Sequence, residues 1–241
     1  MEREQSEQPK TGSDPKDVAA DANERRSGYL GFVAHEVRNP LSTALWTAEL
    51  LARMSPEERG GARGDKLSAM CLRSLSRVRQ LVEDHFLCER LDVAGIPVRA
   101  EPLSLGEVVE ALLERRPADA PPVTVELDGP ITVAADRSLL ERAIEALLAV
   151  AGSDGTPVRV VARTGDDVAI SVSGHAPAPG ALEDPRKGSA SDPKGRALAL
   201  PVARRAAAAL RGSLIVSDAG YLLTLPRVRA YTPPPDSPAE P

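Results

Sequence analysis

Between Glu24 and Met54 apolar side chains return at helical spacing, at Leu30, Val33, Val37, Leu41, Ala44, Ala48 and Leu51. The breaker-rich stretch SPEERGGARGD interrupts the period, which resumes from Lys66 to Leu91 with Leu67, Cys71, Leu75, Val78, Val82 and Leu91. Two long helices joined by a short connection predict an antiparallel hairpin. A single hairpin cannot cover the apolar stripe on each of its helices, so two copies are expected to pair as a homodimer with a four-helix bundle.

After AGIP at residues 94–97 the period changes. Residues 104–115 predict a short helix capped by Ser104, residues 123–127 and 131–134 predict strands, and residues 138–151 predict a second helix. Residues 158–162 and 168–172 alternate around TGDD, as a hairpin does. An alanine-rich helix over residues 195–210 precedes strands at 213–217 and 221–225, joined across DAG. The expected class is α+β: a helical hairpin over residues 23–93, then one sheet with helices on one face over residues 96–230. Residues 1–22 lack an apolar period and read as a disordered arm, and the proline-rich tail at 231–241 reads likewise.

Composition narrows the choice of partners. Only six residues are aromatic, so the core must be built from Leu, Val, Ile and Ala. The net charge is −5 with no basic block, which leaves no electrostatic footprint for nucleic acid. Cys71 and Cys88 lack metal-ligand spacing and are expected to pack as apolar residues, with no metal bound. No leader-like apolar region and no membrane span is present, so the expected location is cytoplasmic.

At about 100° per residue, Val37, Pro40, Ala44, Ala48 and Leu51 fall within about 60° of Val33 on the first helix. His35, Ser42 and Trp46 lie on the opposite side, and Asn39 joins them. His35 is therefore expected on the solvent side. Pro40 removes one backbone hydrogen bond and frees the carbonyl of Glu36, so local loosening is expected beside the histidine.

The run His35-Glu36-Val37-Arg38-Asn39-Pro40-Leu41 resembles, at every position, the H-box of sensor histidine kinases, and it stands on the first helix of a hairpin as in that family's dimerisation and phosphotransfer domain. The resemblance implies that His35 accepts a phosphoryl group, that Glu36 acts as base or orienting partner, and that Asn39 positions water for dephosphorylation of a partner aspartate. An imidazole, largely neutral at cell pH, is a competent nucleophile for this chemistry. Arg38, Ser42 and Trp46 surround the histidine as candidates for docking a partner protein.

In that family phosphate comes from ATP, bound in a C-terminal α/β domain whose strand-helix order residues 96–228 resemble. The boxes of that domain are eroded here. Ala146 and Val150 stand where two asparagines would serve magnesium and the phosphates. Gly174-His175-Ala176-Pro177-Ala178 stands for DxGxG, with Gly174 in place of the aspartate and Ala176 and Ala178 in place of the glycines. Gly195-Arg196-Ala197-Leu198 stands for GxGL, with Ala197 replacing the second glycine, so the amides that would cradle phosphate lose their setting. Only 34 residues, mostly polar, precede His35 in this sequence, so no sensor domain is expected.

The pattern resembles histidine phosphotransferases built on the kinase scaffold. It leads to the expectation of a phosphorelay protein that exchanges phosphate between His35 and receiver-domain aspartates of response regulators. No ATP or metal is expected in this chain, since magnesium would come with the receiver. A divergent ATP-dependent histidine kinase and a non-catalytic scaffold stand as alternatives.

Overall fold

The helical period of the N-terminal region is realised as α1, Pro15–Arg53. The structure, a computed structural model, describes residues 15–92, 97–175, 182, 198–217 and 219–227, with side chains from Leu30 onward. α1 begins well before Glu24, so residues 15–22 are helical where a disordered arm was expected. Proline is favourable at a first helical position, where its missing N–H would have no partner, and Ala19, Ala20 and Ala22 favour helix. α1 runs on through Pro40, which is buried.

The connection carries more structure than its breakers suggest. The Ser55 hydroxyl accepts from the Glu58 N–H at 3.2 Å while the Glu58 carboxylate accepts from the Ser55 N–H at 3.0 Å, a capping box that starts the one-turn α2, Pro56–Arg59. α3, Ala62–Asp92, then begins earlier than its apolar period. Gly64 is required there, because a Cβ would stand 2.0 Å from the Arg59 carbonyl oxygen. Within the first unit the Cys71 thiol donates to the Ala44 carbonyl at 3.6 Å, joining α3 to α1. Cys71 is thus half-buried and weakly hydrogen-bonded, while Cys88 is buried as expected.

The chain divides into two units at Leu75/Ser76, so the second half of α3 belongs with the C-terminal body. That body continues with β1 (Glu101–Ser104), α4 (Leu105–Glu114), β2 (Val123–Leu127), β3 (Thr132–Ala135), α5 (Arg137–Ala151), β4 (Val158–Thr164), β5 (Asp167–Ser173), α6 (Ala199–Ala209), β6 (Ser213–Ser217) and β7 (Gly220–Pro226). Ser104 caps α4 as its sequence predicts, accepting from the Glu107 N–H at 3.4 Å.

Five strands form a mixed sheet in the order β2-β4-β5-β7-β6, parallel between β2 and β4 and antiparallel elsewhere. β1, which the sequence reading passed over, pairs antiparallel with β3 in a separate two-stranded sheet. Burial alternates along β4, where Val158, Val160 and Ala162 are buried while Arg159 and Arg163 are exposed. These inward residues share one core with Leu140, Ile144 and Leu147 of α5 and with Ala203, Ala206 and Ala207 of α6. The fold is α+β, a helical hairpin followed by a helix-on-sheet layer. No helix among the described residues is long and apolar enough to cross a membrane.

Candidate functional site

The buried face of α1 fixes where His35 points. Val33, Pro40, Ala44 and Thr47 are all buried and fall within about 40° of one direction around the helix. His35, Arg38, Asn39, Ser42 and Trp46 are exposed, Trp46 by 55%, and Glu36 is half-buried beside the histidine. The expected outward row is therefore present: Asn39 stands one turn from His35, Ser42 two turns on and Trp46 three.

One position on the inward face differs from the sequence reading. Ala48 is exposed, and Thr47 is fully buried in its stead. A threonine can be buried there because its hydroxyl donates to the Thr43 carbonyl at 2.5 Å, and Thr43 in turn donates to the Asn39 carbonyl at 3.2 Å. The polar atom is satisfied within its own helix, which hydrophobic periodicity does not register. Leu41 and Leu45 on α1 and Leu72 and Leu75 on α3 are exposed by 40 to 66%. Each helix thus carries an uncovered apolar strip.

The second candidate region lies where α5 meets the end of β5. Asp136 caps α5, its carboxylate accepting from the Leu139 N–H at 3.3 Å and from the Arg99 N–H at 3.2 Å. Ala146 is 6% exposed, and Val150 is half-buried and packed against the core. Gly174 lies so close to α5 that a Cβ added to it would stand 2.4 Å from the Ala151 carbonyl oxygen. The His175 N–H donates to that same oxygen at 2.6 Å, pinning the strand end to the helix end. The His175 side chain lies 3.9 Å from the Asp154 carboxylate. Ala176, Ala178, Gly195 and Ala197 lie outside the described residues.

One turn before Ala146, the Arg142 guanidinium engages the Asp84 carboxylate of α3 through Nε, at 3.1 Å, and through Nη2. Its Nη1 donates to Glu145 at 2.8 Å. The Gln80 amide lies 3.3 Å from both Asp84 oxygens. Asp84 is 4% exposed, and burial pushes its carboxyl up from the ordinary value against the downward pull of Arg142. Sequence reasoning missed this cluster, since nothing local marks an aspartate and an arginine 58 residues apart as partners. A cavity of about 490 Å³ lies elsewhere on α5, lined by Glu141, Glu145, Leu148 and Ala149 together with Arg115 and Arg116. Among the described residues no group of His, Cys, Asp and Glu could hold a metal ion.

The helical hairpin followed by this helix-on-sheet body is the fold of sensor histidine kinases. Among solved structures it is similar to the Acinetobacter baumannii histidine kinase AdeS, at 17% identity over 81% of this chain and 98% of that one, with a TM-score of 0.59. It is also similar to full-length ShkA, solved in complex with AMPPNP, at 20% identity over 84% of this chain and 46% of that one, with a TM-score of 0.54. No family model and no curated protein matches the sequence.

Proposed function

We propose that the chain is a two-component phosphorelay protein that carries a phosphoryl group on His35 and exchanges it with receiver-domain aspartates, without taking phosphate from ATP. The observation that carries this is the pairing of an exposed His35, in an intact HEVRNPL run, with an α5–β5 junction closed at Gly174. In the forward step an imidazole nitrogen attacks the phosphorus of an aspartyl phosphate, the P–N bond forms as the P–O bond to the carboxylate breaks, and the aspartate leaves as its anion. The ring then sheds the proton on its other nitrogen, and Glu36 is placed to take it. Reversal of the same steps passes the group to a second receiver.

The receiver supplies the aspartate and the magnesium, so this chain need only present the imidazole on a rigid helix with a docking surface around it. Arg38, Ser42 and Trp46 form that surface. The exposed leucines of α1 and α3 support a homodimer in which two hairpins cover each other's strips. Asn39, exposed one turn from His35, positions water against a receiver's aspartyl phosphate in this reading.

Two measurements separate this from its competitors. Incubation with a phosphorylated receiver labels His35, and the label is absent in His35→Ala; transfer that survives the substitution refutes the proposal. Incubation with radiolabelled ATP leaves the chain unlabelled, whereas His35-dependent incorporation would establish a divergent kinase. The kinase alternative draws on the fold shared with AMPPNP-bound ShkA. A non-catalytic scaffold draws on the uncovered apolar strips, and it requires signalling to tolerate His35→Ala but not loss of the hairpin.

A further inference from the structure

We infer that the second half of α3 is clamped to the C-terminal body by two ion pairs, Asp84–Arg142 and Asp92–Arg205, so that residues 76–92 and the helix-on-sheet layer move as one rigid unit. The clamp stands independently of the phosphorelay proposal.

Three kinds of observation converge on α3. The Asp84 carboxylate is nearly excluded from water and is met by Nε and Nη2 of Arg142 and by the Gln80 amide. Two turns further along, Asp92 accepts from Arg205 Nε of α6 at 2.8 Å, so the half-helix is tied to two different helices of the body. Around these ties Leu81 and Cys88 are fully buried, and Leu87 and Leu91 pack against the body's core. Residues 76–92 of the continuous α3 accordingly fall in the C-terminal unit, which begins at Ser76.

The location of Arg142 adds meaning. Arg142, Ala146 and Val150 succeed one another at intervals of four and so share a face of α5. In the kinases this chain resembles, that face supplies two asparagines. Here it supplies an anchor for α3 and apolar packing. A buried ion pair adds little net stability over an apolar pair, but losing one partner strands a charge, so its main effect is to fix which surfaces meet.

Hydrogen exchange on the full chain tests the clamp. In the wild type, amides of residues 76–92 exchange through the same opening as those of α5. Asp84→Ala leaves Arg142 with Glu145 as its acceptor and no partner on α3, and protection across residues 76–92 falls by roughly a hundredfold while central α5 amides keep theirs. If Asp84→Ala proves poorly folded, the paired variants Asp92→Asn and Arg205→Gln report on the exposed tie, with a loss of about threefold confined to the end of α3. The double variant Asp84→Ala/Arg142→Ala loses much less than the sum of its singles. The clamp is overturned if residues 76–92 of the wild type exchange independently of α5, or if the Asp84 and Arg142 effects simply add. Receiver-to-His35 transfer is measured in parallel. Failure of transfer in the wild type with the clamp intact would remove the phosphorelay reading alone.

Discussion

Placing at Gly174 the aspartate of the kinase DxGxG box should damage the protein without creating a nucleotide site. A Cβ at this position would stand 2.4 Å from the Ala151 carbonyl oxygen, 3.0 Å from its carbon and 3.2 Å from its Cβ. The closest of these contacts is with backbone at the end of α5, so no side-chain rotation relieves it. Reaching an ordinary separation requires the end of β5 to move by about 1 Å away from the helix. Overpacking of this order costs about 1–3 kcal/mol. The same movement stretches the 2.6 Å hydrogen bond from the His175 N–H to Ala151, which contributes about 1 kcal/mol more. Against these stands a gain of about 0.4–1 kcal/mol from removing a glycine from the unfolded chain. The net expectation is a loss of about 1–3 kcal/mol for Gly174→Ala, and more for Gly174→Asp.

Urea unfolding followed by far-UV circular dichroism measures this directly. Gly165→Ala is the control, because a Cβ there meets nothing closer than the Asp167 carbonyl oxygen at 3.8 Å, so its change should stay within about 0.5 kcal/mol. The triple variant Ala146→Asn/Val150→Asn/Gly174→Asp carries the expected residue types at three eroded positions, yet should show no ATP binding by equilibrium dialysis with magnesium present. The reasoning fails if Gly174→Ala is as stable as wild type, or if the triple variant binds ATP while remaining folded.

Two further expectations concern stability. Asp136→Ala removes the acceptor for both Leu139 and Arg99 N–H groups, and its unfolding midpoint should report a loss of about 0.5–2 kcal/mol, most of it from fraying of α5. Asp84 carries a carboxyl raised by burial, so the folded chain binds that proton more tightly than the unfolded chain. Its contribution to stability is therefore most favourable at low pH and declines as pH rises from the unfolded value through the raised folded one. Asp84→Asn should flatten that limb of the stability-versus-pH curve. An unchanged slope would place the carboxyl in an ordinary, solvated setting.

The parts of this fold that were legible in the sequence are those set by short-range rules. The alternation of VTVEL gave β2 its bounds to the residue, Ser104 marked the start of α4, and the heptad-like return of apolar residues around His35 gave the outward face of α1. What stayed hidden depends on distance or on self-satisfied polar groups. β1 reads poorly as a strand because EPLS is short and holds Pro102, and it exists by pairing with β3 some thirty residues on. The parallel pairing of β2 with β4 is made across α5, and no local pattern specifies it. Thr47 breaks the apolar code of its face because Thr43 satisfies it from one turn away.

The candidate site divides along the same line. The histidine and its neighbours were legible because their chemistry sits in one continuous run on one helix, where spacing and facing are nearly equivalent. The departures from the kinase boxes were legible as residue types, but whether space remains between α5 and the end of β5 depends on packing that no local pattern specifies. Two positions answer in one direction: Ala146 is buried among apolar neighbours, and Gly174 admits no side chain beside Ala151. A pocket that had lost only its ligating groups would accept them back by substitution. One whose walls meet each other would need its backbone moved first, and the measured cost of Gly174→Ala decides which of these two arrangements the protein has.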